Sequence, residues 1–211
     1  MFERPIVMLD FETTGLSPES GDRITEVAAL RIAGGEIVDR YVSLVNCGVR
    51  IPPFISSLTG ISQAMVDSAP PADEVVPALI EFIGADTLAA HNASFDEKFL
   101  MAEGARLGHD CRHEALVCSV KLSRRVLPGM SSYKLGELAR ALGIVFRGTA
   151  HRAEADAEVA ARLLLHIGRH LGQSYGLSPV APELLVEINR LSAARVHDYI
   201  GDYAAARKRA R

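Results

Sequence analysis

Cysteine is scarce in this chain. The 3 cysteines, Cys47, Cys111 and Cys118, form no CxxC spacing and leave one over from any pairing. That argues against a disulfide framework and points to reduced thiols in a cytoplasmic protein. Long apolar runs are also missing. The first one, residues 5–9, is too short for a signal peptide or a membrane span, and no later run reaches spanning length without charges. Internal repeats and low-complexity segments are absent. The formal net charge is only −3, so there is no surplus of positive charge to coat a polyanion in bulk, although a local grip on a strand end stays open.

What is present is enough for a core. The chain has 211 residues, 48% hydrophobic and 23% charged, which fits one globular domain with a small appendage. PIVMLDF, residues 5–11, reads as a buried strand closed by Gly15 and Pro18. Residues 24–33 and 36–45 read as two strands joined at Gly34-Gly35, a hairpin signal. Residues 50–71 read as loop with short helical turns. Helices are expected over 72–84, 94–107, 133–142, 152–171 and 182–208, and two more strands over 87–91 and 114–120. Three strands followed by alternating helix and strand give an α/β fold with a mixed five-stranded sheet flanked by helices. Residues 172–182, rich in Gly, Ser and Pro, read as a linker. The expected division is a domain over 1–172 and a linker with a C-terminal helical extension over 173–211. The basic end ARKRAR reads as a solvated, frayed helix end.

The stretch VMLDFETTGLSP places two acids at the end of an apolar run. Asp10 and Glu12 fall on one face of the strand, at its C-terminal end, where open α/β sheets hold ligands. Two carboxylates that close cannot both ionise comfortably without a cation, and a hard divalent ion resolves the conflict. A turn cap plus a solvated acid would fit the pair equally well. A second stretch, HNASFDEKFL, has Ser94 and Glu97 at capping-box spacing, so Ser94 is the expected N-cap and Asp96 lies in the first turn. The helix dipole alone favours an acid there. Phe99, Leu100 and Leu107 nevertheless follow on the same face as Asp96, which points it inward. A third stretch, HRAEADAEVAARLLLHI, puts Ala160, Leu163 and Ile167 in line with Asp156, so Asp156 heads the buried stripe. His151 lies about 140° away on an ideal helix, and it reaches the same site only if it sits on the loop before the helix.

Two divalent ions would neutralise four such acids, activate a water and stabilise the leaving oxygen of a phosphodiester. A histidine of near-neutral pKa can take the water's proton. The combination of DFETTGL, HNASFD and HRAEADA, in this order over residues 5–170, resembles the DEDDh 3′–5′ exonucleases, the family of the proofreading epsilon subunit of bacterial DNA polymerase III. The resemblance implies a ribonuclease-H-like fold, two Mg²⁺ or Mn²⁺ ions and removal of nucleoside monophosphates from a 3′ end. By motif position, Asp10, Glu12, Asp96 and Asp156 would be metal ligands and His151 the general base. Thr13 and Thr14 would face the terminal sugar, Leu16 would pack on a base, and Asn92 and Phe95 would touch the strand. For Phe95, core packing is an equal alternative. The LTGIS loop, residues 58–62, falls where these enzymes line the substrate groove.

The expected partner is the 3′ end of single-stranded DNA, with RNA or short oligoribonucleotides as the alternative; no single residue reads the 2′-hydroxyl. No clamp-binding peptide is legible after residue 172. Leu184, Ile188 and Leu191 instead stripe a helix, open to a polymerase or to self-association. A stand-alone relative of the proofreading subunit is therefore expected, with a polymerase-bound subunit, a non-catalytic binding module and a nucleotide phosphatase as competing readings. No membrane partner is expected.

Overall fold

A computed structural model describes residues 2–111, 113, 115–146 and 148–209. Among them, five strands form one mixed sheet: β1 (Ile6–Thr13), β2 (Ile24–Ala33), β3 (Glu36–Leu44), β4 (Thr87–Ala90) and β5 (Leu116–Cys118), in the order β3-β2-β1-β4-β5. β1 pairs antiparallel with β2 and parallel with β4, β2 pairs antiparallel with β3, and β4 pairs parallel with β5. Short helices α1 (Pro53–Thr59) and α2 (Gln63–Asp67) follow the hairpin. They lead to α3 (Ala72–Ile83), α4 (Ser94–Leu107), α5 (Ser119–Val126), α6 (Leu135–Ala141), α7 (Ala153–Tyr175), α8 (Pro182–Arg190) and α9 (Ala193–Arg209). The result is the ribonuclease-H-like mixed sheet with flanking helices and C-terminal helices beyond it.

Strand alternation sorts the core into two layers. Ile6 and Met8 of β1, with Ala28, Leu30 and Ile32 of β2, pack against Ala157, Ala160, Ala161 and Leu164 of α7. Val7, Leu9 and Phe11 point the other way, toward Val75 and Leu79 of α3 and Phe99 and Leu100 of α4. Asp10, Glu12 and Glu26 continue the first row, so their side chains emerge on the α7 side. Glu12 is the register partner of Glu26, and a register shift follows at Glu12/Thr13. That irregularity breaks the register beside the acids, before the last pair, Thr13 with Ile24.

Several boundaries differ from expectation. The fifth strand covers only Leu116–Cys118, and Ser119 already begins α5, a helix that the short apolar run concealed. Glu114, the first residue expected in that strand, lies outside the described residues, as do Ala210 and Arg211 of the basic end. Ser94 does not cap α4. The cap position is Ala93, with no side-chain cap bond. Asn92 turns the chain at φ 73°, and the carbonyls of Asn92 and Ala93 accept from Phe95 and Glu97, so the backbone starts the helix without the serine. α7 runs four residues beyond the expected end and stops at Gly176, whose φ of 69° suits only glycine well. The expected single helix over 182–208 is two, broken at Leu191, whose carbonyl accepts from Arg125 Nε at 2.8 Å.

Leu184, Leu185, Ile188, Val196 and Ile200 of α8 and α9 are buried in the same cluster as Leu122, Val126 and the α7 row. Each fully buried Leu or Ile is worth about 1.5–3 kcal/mol, so the C-terminal helices contribute substantially to the core. Asn189 also mimics a strand along β5. Its Oδ1 accepts from Cys118 N at 2.6 Å and its Nδ2 donates to Cys118 O at 3.2 Å, which covers that sheet edge. Arg207 of the basic end pairs with Glu3. All three cysteines are free and buried. Among the described residues no helix is long and apolar enough to cross a membrane.

Candidate active site

The C-terminal ends of β1 and β4 open into a cavity of about 250 Å³. Asp10, Glu12, Asp96, Asp156 and His151 all line it, together with Thr13, Leu16, Asn92 and Phe95. Three larger clefts, of about 570, 390 and 290 Å³, lie elsewhere. In the one of about 390 Å³, Glu183 and Glu187 are paired with Arg4 and Arg190, so size alone does not locate the chemistry.

Each acid is delivered by a different local cause. Asp10 and Glu12 come from the end of β1, on the α7 side. Asp96 is only 3% exposed, and its Oδ1 accepts from Phe11 N at 3.2 Å. α4 packs on the opposite sheet face, and its first turn reaches around the strand end. Asp156 sits in the first turn of α7, above buried Ala160, Leu163 and Ile167. His151 precedes that helix on the loop, at φ 61°, and its N–H donates to Asp156 Oδ2 at 2.9 Å. One ligating atom each from Glu12, His151 and Asp156 lie within 4.8 Å of one another. Asp10 and Asp96 share the cavity wall beside this group.

The acids disfavour one another's charge. Burial, then Asp96, Asp156 and Glu12, hold the Asp10 carboxyl well above its usual range. Burial, helped by Asp156 and Glu26 and opposed by Arg152, pushes Glu12 up to about 8. Burial also pushes Asp96 up to about 8, against the Phe11 hydrogen bond, and raises Asp156. Hard oxygen donors crowded until burial and mutual repulsion favour their protonated forms fit a divalent cation, which would replace those protons.

The third sequence stretch is held from β2. Glu26, buried within an apolar strand, accepts from Arg152 Nε at 3.0 Å, from Arg152 Nη2 at 2.5 Å and from Ala153 N at 3.0 Å. Glu26 thus caps α7 from across the sheet and fixes the residue next to His151. Sequence reading missed both groups. The available signal was an acid in ITEVAAL with no local partner. His91, at the end of β4, also lines the cavity. Its Nδ1 lies 2.8 Å from Ser119 Oγ, and burial holds its pKa down at about 4, so the ring is neutral.

Apolar side chains line the mouth beside the acids. Leu16 is 78% exposed and Phe54 67% exposed. Leu58, Ile55 and Thr59 of α1 line the same cavity as Leu16. Phe95 is half-buried. It packs on Phe99 at 5.0 Å between centroids and carries Lys98 Nζ 5.3 Å above its ring, so it serves core and cavity together. Thr13 Oγ1 donates to Gly15 O at 2.6 Å, while Thr14, behind the loop, donates to Asp22 Oδ1 at 3.3 Å.

Comparison with known proteins gives this arrangement a family. The RNase T exonuclease model matches residues 7–164. The chain belongs to the DEDDh 3′–5′ exonuclease family. It is 34% identical over 178 residues to the DNA polymerase III subunit epsilon of Aquifex aeolicus (strain VF5), covering 84% of this chain and 87% of that protein. It is 37% identical over 173 residues to the 3′-5′ exonuclease DinG of Bacillus subtilis (strain 168), covering 82% of this chain but 18% of that protein. The chain thus spans less than a fifth of that DinG relative. A solved structure, exonuclease X in complex with 5′ overhanging duplex DNA, superposes with a TM-score of 0.67 at 26% identity, over 87% of this chain and 99% of that one. The family implies divalent metal ions.

Proposed function

We propose that this DEDDh exonuclease hydrolyses phosphodiester bonds at the 3′ end of single-stranded DNA and releases nucleoside monophosphates. The observation that carries the reading is the convergence of Asp10, Glu12, Asp96, Asp156 and His151, from three separate stretches of chain, on one cavity. Asp10, Glu12, Asp96 and Asp156 are assigned as ligands for two Mg²⁺ or Mn²⁺ ions. When bound, such ions neutralise the carboxylates and supply Lewis-acid activation of water and stabilisation of the leaving oxygen.

This chain's own residues do the rest. His151 stands exposed on its loop and accepts the proton of the attacking water. Asp156, which accepts the His151 main-chain N–H, keeps that loop against the acids. Neutral His91 braces the end of β4 against α5 through Ser119. Leu16 and Phe95 hold the terminal nucleotide. Leu58 and, further out, Phe54 offer an apolar side to the bases behind it. On α1 the cavity-lining positions 55, 58 and 59 lie about 100°, 40° and 140° from position 54, which sets Phe54 at the rim just beyond Leu58. Apolar and aromatic surfaces accept any base and need it unpaired, which favours a single strand. DNA is preferred to RNA because the polymerase subunit and exonuclease X comparisons both concern DNA enzymes.

The apolar stripe of α8 and α9 is spent on this chain's own core, which supports a nuclease that works without a polymerase docked on that stripe. The test incubates 5′-labelled single-stranded DNA and matched RNA with Mg²⁺, Mn²⁺ or EDTA and resolves the products on a gel. A metal-dependent ladder shortening from the 3′ end, faster on DNA, is expected. A faster RNA ladder would reverse the sugar assignment. No shortening of either strand would overturn the catalytic reading.

A further inference from the structure

The loop that presents Leu16 is built around one carboxylate. Asp22 Oδ2 accepts from Ser17 N at 3.0 Å, and Oδ1 accepts from Thr14 Oγ1 at 3.3 Å. Thr14 Oγ1 in turn accepts from Arg23 N at 3.0 Å, and Thr14 N donates to Arg23 O at 2.9 Å. The two ends of the loop are thus stitched together around residues 15–16. Gly15 completes the fit: a Cβ there would overlap the Asp22 carboxylate.

No cation accounts for Asp22. The neighbouring Arg23 guanidinium is bound to Glu103 at 2.6 and 2.9 Å and to Cys47 O at 2.8 Å, and among the described residues Asp22 makes no ion pair. Its acceptors are spent on the loop. From the far side Lys98 Nζ donates to the Leu16 carbonyl, and Arg106 Nη2 donates to Pro18 O at 3.1 Å. The backbone of Leu16 is therefore held from two sides, while its side chain is 78% exposed at the cavity mouth. An isobutyl group kept in water by this much bonding is positioned for a ligand.

We infer that Asp22 is a positioning residue that sets Leu16 against the base of the 3′-terminal nucleotide, with Gly15 as the gap that admits the carboxylate. The inference rests on the exonuclease reading and deepens it. Asp22 touches neither the reacting atoms nor the acids, so its loss acts on substrate grip. Asp22→Ala raises KM on a single-stranded oligonucleotide by about fivefold, a partial loss of one leucine's burial, and leaves kcat within about twofold.

The test has three arms, each read against a thermal melt to exclude unfolding. In the first, Asp22→Ala is combined with Leu16→Ala. Asp22→Ala costs nothing further once Leu16 is gone. In the second, the substrate ends in an abasic 3′ nucleotide. Wild type and Asp22→Ala then have equal KM. In the third, Gly15→Ala lowers kcat/KM by itself but is neutral on the Asp22→Ala background, where no carboxylate remains to overlap. Additive losses with Leu16→Ala, or an equal loss on the abasic substrate, would reduce Asp22 to a general support of the fold and overturn the inference. Absence of wild-type shortening on any strand would instead overturn the exonuclease reading, so the two failures are distinguishable.

Discussion

Asp96→Asn tests the electrostatic design of the site through stability alone. Asp96 is 3% exposed, and its carboxyl is raised from 3.8 to about 8, chiefly by burial. For an acid this sign means that the folded state keeps a proton which the unfolded state has released between those two values. The metal-free protein therefore has its full stability contribution from this group below about pH 4 and loses it as the pH rises toward 8. One retained proton corresponds to about 1.4 kcal/mol per pH unit, which makes the effect on the order of 3 kcal/mol between pH 5 and 7. For a chain of this size that is roughly 5–10 °C in melting temperature. The asparagine side chain cannot titrate, so this share of the slope disappears in the variant. Glu12, also raised to about 8, continues to titrate in both proteins. Thermal melts in EDTA across pH 5–8 should therefore show the wild type falling more steeply than the variant by about that amount. Adding Mg²⁺ at neutral pH should raise the wild-type melting temperature and shift Asp96→Asn less, since a ligand that binds only the folded state stabilises it. Parallel pH curves for the two proteins would refute the reasoning, because they would mean that Asp96 ionises freely in the fold.

His151→Ala should lower kcat by about 10²–10⁴-fold with metal-induced stabilisation largely kept; single-turnover kinetics and melts with and without Mg²⁺ check both halves. Glu26→Gln should lower kcat by roughly tenfold to a hundredfold through misplacement of the 151–156 segment, with little change in KM for oligonucleotides, because Glu26 holds Arg152 and Ala153 and stands outside the strand groove. Phe54→Ala should raise KM by about fivefold or more for strands long enough to place a base beyond Leu58, as expected for loss of one stacking contact, and should leave dinucleotide hydrolysis unchanged in the same steady-state assay.

The sequence made the sheet legible where its periodicity was clean. The β2–β3 hairpin at Gly34-Gly35 is formed as expected, and alternation alone put Asp10 and Glu12 on one face. The inward face of Asp96 followed from Phe99 and Leu100, although the expected Ser94 cap was not formed, because facing depends on helical period while capping depends on the backbone turn at Asn92. β5 and α5 were not separable by pattern. A three-residue strand running straight into a helix leaves too few residues to show either period. Glu26, Asp22 and His91 escaped for a related reason. The partners of Glu26 and His91 lie 126 and 28 residues away, beyond any local window, and Asp22 closes a loop through Thr14 and Ser17, an irregular turn that shows no period.

The acids withdrawn from solvent fall into two groups. Glu26 and Glu103 are buried carboxylates that the fold satisfies itself, each with an arginine in bidentate contact. Among the described residues, no arginine makes such a bidentate contact with Asp10, Glu12, Asp96 or Asp156. Where a hydrogen bond reaches them, it comes from a backbone N–H, as at Asp96 and Asp156. A chain that pairs two buried acids with arginine and leaves four clustered ones without is not short of cations; it holds the four sites open. The difference in treatment, more than burial itself, marks the cluster as functional, because uncompensated like charges in a cavity are tolerated only where something arriving from solution completes them.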